Sequence, residues 1–466
     1  MTLYPKPVYN GYMTNISVAS WDLMPSHSQD WDLPVLAEVD VLVVGGGAAG
    51  VAAATVAAEA GLRVVLVEKY GFCGGAAVAG MSGTVCGLYL ASDASEGPTQ
   101  VVFGFADRFC RSLDERGGLS GPQRYGKTWT VAHDPLVWRE VADQILEAAG
   151  VQLLLHTTVV GVLLEGETHS GVVVESSAGR ATIRAARTID ASGDGAVAAR
   201  AGHEYLFGND GMIQNPTMFF RIGNVDTDRF WDFYGQDTIC PPAVTEAIRA
   251  ARDEGLDLPR DKIWIFRTTR SGELMVNATR LSGRDGRMLN VIDPADFTEA
   301  EIVGRRQVRE YARFLQQHVP GCEASHVVDT GVEAGIRQTR TIVGAKTLRN
   351  ADVIEARKFA DGIARSPWPI ELHSGSRPKL EWLLDDVYEV PYLTLVPATG
   401  ENLIVAGRCL SAEHEALASA RVTAQCFEYG HAAAVASVLS LTSEIPYRDI
   451  PGADVRAAMT KNGSAL

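Results

Sequence analysis

Six residues, Gly45-Gly46-Gly47-Ala48-Ala49-Gly50, form a Gly-x-Gly-x-x-Gly turn. It follows a short apolar, β-branched run at 39–44 that reads as a buried parallel strand. It opens an Ala-rich stretch at 48–60 that reads as a helix with Gly61 just past its end. That context suits one chemistry, the binding of a dinucleotide. Gly45 permits the tight turn, Gly47 lets backbone approach a pyrophosphate, and Gly50 lets the helix pack close to the strand. The helix start at Ala48 and Ala49 offers N–H groups to the anion. Glu68 closes the second strand, 63–67, about 20 residues on, where a carboxylate accepts from ribose hydroxyls. A glycine-rich structural turn is the alternative, but every element of the fingerprint is in place.

The residues after Glu68 narrow the cofactor. Lys69, Cys73, Gly74, Gly75 and Ala76 lie in a segment, KYGFCGGA, that resembles the FAD-contacting glycine pair of glutathione-reductase-like flavoproteins. TIDASGDG, residues 188–195, resembles a second segment of that superfamily. The resemblance implies that Asp194 sits near pyrophosphate or ribitol, with Ala191, Ser192 and Gly193 beside it. NLIVAGR, 402–408, resembles the C-terminal strand and glycine that approach a flavin, here Gly407 and Arg408. Residues 331–346 and 388–422 are similar to signature segments of the bacterial FAD-dependent oxidoreductase family, distantly related to fumarate reductase flavoprotein subunits. The resemblance covers about 38–440 and implies FAD as cofactor, with Val159, Ser419 and Val422 added to its contacts. Cys73 departs from the apolar residue expected there. A buried inert thiol and a cysteinyl flavin bond are its two readings. There is no second Gly-x-Gly-x-x-Gly and no Cys-x-x-x-x-Cys pair after the glycines, which disfavours pyridine-nucleotide–disulfide reductases.

Proton transfer needs a titratable group beside the flavin. His414 follows the glycine at 407 and is expected to carry the proton; capping the next helix is its structural alternative. His373, in Glu-Leu-His, falls at the expected domain junction, where ligands bind. Arg337 and Arg340 are three apart, on one face if that segment is helical, and suit a substrate carboxylate; a structural ion pair is the alternative. Arg267, Arg270 and Arg280 read mainly as solvated surface charge.

The elements that must position these groups follow from the pattern. A helix is expected at 135–149 and strands at 151–155 and 159–164. A meander is expected at 171–176 and 181–185, then a separate buried strand at 187–191. Strands are expected at 262–268 and 273–279, a helix at 298–318, a strand at 402–406 and one long helix at 416–440. The expected fold is α/β: a Rossmann-type, glutathione-reductase-like FAD domain with an inserted β-rich α+β substrate domain. The boundaries read as an arm, 1–37; a discontinuous FAD domain, 38–205 and 385–445; a substrate or cap domain, 206–384; and a tail, 446–466.

Length and composition agree. The 466 residues predict two or three domains, and 46% hydrophobic with 21% charged residues is ordinary for a globular chain. A net charge of −15 and only eight lysines disfavour nucleic acid as a partner. The seven cysteines, at 73, 86, 110, 240, 322, 409 and 426, make no close metal-ligand pair, so no metal is expected. They suit reduced thiols in a cytoplasm. The uncharged stretch 41–58 contains the glycine turn and is not read as a membrane span. The expected function is two-electron oxidation or reduction of a small organic substrate, a carboxylate-bearing one among the candidates. The electron acceptor is left open between oxygen, a quinone and another flavoprotein, and a homo-oligomer is compatible. The rivals are a flavin-dependent monooxygenase and, from another class, a non-catalytic FAD-bound sensor or scaffold.

Overall fold

The computed structural model describes residues 33–94, 97–373 and 379–466. The expected arm, 1–37, lies outside the described residues up to position 32. A seven-stranded sheet forms the centre. In order it runs Gln152–Leu154, Val64–Val67, Val35–Val44, Gly179–Asp190, Thr168–Ser176 and Thr158–Glu165, with Leu403–Val405 also paired to Gly179–Asp190. The first four strands and Leu403–Val405 pair in parallel, and the last two add antiparallel hairpins. Val41, Leu42, Val43 and Val44 are buried because helices cover one face and the hairpin core the other.

Gly179–Asp190 is one strand where two were expected. No Gly or Pro interrupts it after Gly179, and it runs parallel to Val35–Val44 along its length. Its first half carries the meander and its last three residues carry Leu403–Val405. It therefore ties the hairpins to the dinucleotide sheet. The expected strand at 151–155 pairs with Val64–Val67 and so belongs to the parallel sheet, outside the meander.

Helix Ala48–Glu59 is buried nearly all round, since helix Thr423–Ser443 packs on it through small residues. A Cβ added to Gly430 would stand 2.0 Å from the Ala49 carbonyl oxygen. The single helix expected at 416–440 is two helices, His414–Ala420 and Thr423–Ser443. Val422 between them is extended (φ −74°, ψ 162°). No Gly or Pro marks this break; tertiary packing makes it.

A second hydrophobic core gathers around an antiparallel sheet, Trp264–Arg267, Leu274–Asn277, Phe220–Gly223 and His326–Thr330. Its helices, Thr227–Tyr234, Pro242–Asp253 and Pro294–His318, have 8, 12 and 25 residues against strands of 4 or 5, so it is not β-rich. Asp293 starts the longest helix by accepting from the Ala295 and Asp296 N–H groups. This core reaches Ala334, while Leu348, Val353, Ile363 and Ile370 pack in the first core. The change of core does not coincide with the boundary expected at 384. The tail, 446–466, includes helix Gly452–Lys461, whose Val455 and Met459 are buried in the first core. Among the described residues no helix is long and apolar enough to cross a membrane.

Candidate functional site

A deep cleft runs from the glycine turn to the second sheet. At one end are Gly45, Gly47, Ala48, Ala49, Glu68, Lys69, Gly74, Gly75 and Ala76; at the middle Ala191, Ser192, Gly193, Asp194, Gly407 and Arg408. At the other end are Tyr125, Thr217, Phe219, Phe266, Trp368, Glu371, His373, Arg337, Arg421 and Val422. Both groups of sequence-marked residues thus share one space.

The glycine end is shaped by backbone. Gly45 has φ +100°, and its N–H donates to the Val67 carbonyl at 2.8 Å, which closes the turn. A Cβ on Gly50 would lie 1.8 Å from the Gly45 carbonyl oxygen, so only glycine lets the helix reach the strand. Gly50 is a packing residue and does not line the cleft. Gly47 differs: its Cβ would meet nothing nearer than the Gly75 Cα at 3.8 Å. The protein leaves that space open in front of the helix start, as a bound pyrophosphate requires. Glu68 is buried, accepting from the Gly46 N–H through Oε2 (2.6 Å) and from the Tyr70 N–H through Oε1 (3.0 Å). Each oxygen keeps a second acceptor position for a ribose hydroxyl. Burial raises the Glu68 pKa, and the two N–H groups oppose that shift. These residues fit a dinucleotide.

The middle is locked by charge. Arg408 donates from Nε to the Gly193 carbonyl (2.9 Å), from Nη1 to the Ile336 carbonyl (2.7 Å) and from Nη2 to Asp194 Oδ1 (2.6 Å). Thr339 Oγ1 donates to the same Asp194 oxygen at 2.7 Å. Asp190, just upstream, is wholly buried and accepts from Ser192, Val197 and Ala198, so it starts helix Ala196–Arg200.

Several expected site residues lie elsewhere. His414 is the first residue of helix His414–Ala420 and does not line the cleft. After Gly407 the chain bonds outward, Ser411 N–H to the Thr394 carbonyl and Glu413 N–H to the Leu348 carbonyl, which carries His414 away. Arg337 and Arg340 share no helical face. Arg337 lies in an irregular segment, and Arg340 begins strand Arg340–Ile342, stacks on Tyr205 and donates to the Asp194 carbonyl. Cys73 is fully buried behind the turn; a Cβ on Gly46 would touch its sulfur at 2.6 Å. It faces no cofactor space, and burial pushes its thiol pKa far up. Val159 packs in the core under the hairpins. Ser419 donates to the Trp368 carbonyl (2.6 Å) and meets the Tyr388 hydroxyl (2.8 Å), a structural role.

The far end brings two sequence-marked residues, His373 and Arg337, together with groups that sequence reading did not single out, Tyr125, Glu371 and Arg421. Tyr125 donates to Glu371 Oε1 at 2.7 Å, and His373 Nε2 lies 3.5 Å from the same oxygen. Arg421 Nη2 donates to Gln214 Oε1 (2.9 Å), and Arg337 Nη1 to the Asn215 carbonyl (2.7 Å). Behind them the buried Arg260 donates to Asn277 Oδ1 (3.1 Å) and lies over the Trp264 ring. Burial lowers the pKa of all three arginines, Arg421 to about 10. Burial, then the charges of Arg337, Arg260 and Arg421, hold His373 neutral, well below 6.5. Two sequence signals were available. Arg421 is the one Lys or Arg in the long run 416–440, and Glu371 stands two residues before His373, itself marked from the sequence. Tyr125 has no such signal.

A family model described as "FAD dependent oxidoreductase" matches residues 40–459. Urocanate reductase of Eggerthella lenta is 66% identical over 38 residues, 8% of this chain and 6% of that protein. Thiamine thiazole synthase of Aeropyrum pernix is 29% identical over 231 residues, 47% of this chain and 75% of that one. Among solved structures, a geranylgeranyl bacteriochlorophyll reductase-like protein of Thermoplasma acidophilum superposes with a TM-score of 0.48 at 16% identity, over 91% of this chain and 83% of that chain. The p-nitrophenol 4-monooxygenase of Pseudomonas putida DLL-E4 gives 0.46 at 12%, over 88% and 81%.

Proposed function

The chain belongs to the FAD-dependent oxidoreductase family, and from that premise we propose that it oxidises or reduces a small organic substrate by two electrons at the arginine end of the cleft. One observation carries this reading: a single cleft joins the glycine turn to a buried cluster of titratable side chains. FAD, when bound, supplies hydride exchange at its N5. The protein binds, orients and moves the proton.

Arg337 and Arg421 are the groups that would hold the substrate, with Phe219, Phe266 and Trp368 as its apolar wall. Their burial excludes water and strengthens each charged contact. His373 is the proposed proton carrier, in place of His414. Held neutral by burial and the arginines beside it, it can accept a proton. A bound anion offsets the guanidinium charges beside it and so raises its basicity, while burial continues to oppose the charged form. Glu371, whose Oε1 already accepts from Tyr125, lies within reach of the imidazole to stabilise it once protonated.

The test is anaerobic mixing of the yellow protein with a library of small metabolites, read as loss of flavin colour. A true substrate should bleach it, and His373→Gln should slow that step about 10²–10⁴-fold with FAD content unchanged. His414→Asn should leave the rate as in the wild type. A library in which nothing bleaches the flavin, or a His414→Asn protein that is slow beside a normal His373→Gln, overturns the proposal.

A further inference from the structure

The charges at the far end of the cleft do not balance. Arg260 and Arg337 are 4% and 8% exposed, and Arg421 is mostly buried beside them. Their hydrogen bonds go to neutral acceptors, Asn277, the Asn215 carbonyl and Gln214. Among the described residues no ion pair joins any of the three to a carboxylate. Glu371 is the one acid lining that end, and its Oε1 already accepts from Tyr125. Two guanidinium groups that line the chamber, with a third buried behind them, thus stand against one carboxylate, with His373 neutral. Polar valence is unbalanced the same way: Arg260 Nη2, Arg421 Nε and Gln214 Nε2 are buried donors without an acceptor. Proteins do not bury unpaired charge and unpaired donors without a reason, because each costs desolvation. A ligand with two negative charges and several acceptor oxygens would balance both.

We infer that this chamber binds a small dicarboxylate, held by Arg337 and Arg421 with Arg260 adding its charge from behind. Guanidinium forks match carboxylates in bidentate geometry. The aromatic wall of Phe219, Phe266 and Trp368 favours a carbon skeleton over a bare inorganic anion. The inference rests on the redox reading above only for placing this ligand as the substrate; the binding itself stands on the charge imbalance.

The experiment is calorimetric titration of the purified holoprotein with malonate, succinate and glutarate, and with their diamides, alongside inorganic phosphate. At least one dicarboxylate should bind saturably, and its diamide should bind at least about 100-fold more weakly, two charged contacts being lost. Arg337→Met and, separately, Arg421→Met should each weaken that dicarboxylate about 10–100-fold without changing FAD content. Each should also leave the ligand-free thermal midpoint unchanged or raise it, since an uncompensated buried charge is removed; an arginine kept for structure alone would lower it. Diamides that bind as well as the diacids overturn the inference. So do binding of phosphate alone, and variants that lose stability yet keep full dicarboxylate affinity. Dicarboxylate binding in a protein whose flavin no compound bleaches keeps this inference and sinks the redox reading. Bleaching by uncharged compounds with no dicarboxylate bound does the reverse.

Discussion

The glycine end of the cleft is walled by backbone. Its glycines, its helix start and its buried acid come from residues 45–76, and its N–H groups and carbonyls close on each other. The arginine end is walled by side chains drawn from Tyr125 to Arg421, and it keeps buried donors and charges without partners. The first is complete as protein and leaves open only the space in front of Gly47. The second is complete only with something bound. Where a site is finished by backbone, its ligand is set by shape; where it is left short of negative charge, its ligand is set by charge.

The largest effect should come from Gly50→Val. The new Cβ would start 1.8 Å from the Gly45 oxygen, so helix and strand must part. A loss of more than about 4 kcal/mol is expected, read as failure to purify folded protein or a collapsed thermal midpoint. A stable Gly50→Val protein would show that the glycine end is not a tightly closed backbone unit.

Gly47→Glu sits three residues away and should act otherwise. Its φ is ordinary (−70°), and the nearest atom to the added Cβ is 3.8 Å off. The chain should fold, yet emerge colourless, because a like charge against the pyrophosphate costs several kcal/mol. Absorbance and melting of the purified variant measure both halves. Retained FAD with a normal melt would show that the space in front of Gly47 does not receive the pyrophosphate.

Glu68→Ala comes next. It deletes an acceptor of ribose hydroxyls and of the Gly46 and Tyr70 N–H groups. FAD should bind about 10–100-fold more weakly in titration of the apoprotein. Unchanged affinity would mean that Glu68 serves the turn alone.

The smallest effect sharpens the view of the arginine end. The folded state holds the His373 pKa well below 6.5, so below that pH the unfolded chain binds more protons. Stability from this group is present above pH 6.5 and is lost as pH falls below it. His373→Gln should make the acid limb of a stability–pH curve shallower, by at most about 1.4 kcal/mol per pH unit. The limb should persist, since burial also depresses His133 and His431, both to about 4. A steeper limb in the variant would mean that His373 is charged when folded.

The sequence by itself determined the cofactor end. Its chemistry needs particular backbone conformations at fixed spacing, glycines at 45, 47 and 50, a helix start and an acid about 20 residues on, and those requirements are local. The parallel strands and the Ala-rich helix were legible for the same reason, as short periodic runs. At the other end the sequence marked His373 and Arg337, and only the tertiary structure decided which groups join them. The break between Ala420 and Thr423 carries no Gly or Pro, yet it turns Arg421 and Val422 into the cleft. The run after Gly407, which looked as though it should deliver His414, is pulled outward by bonds to Thr394 and Leu348, residues distant or earlier in the chain. Tyr125, Arg260, Arg337, Glu371 and Arg421 have no shared spacing that periodicity could register. They meet because two cores pack around one cleft, and packing of distant segments is what local pattern does not encode.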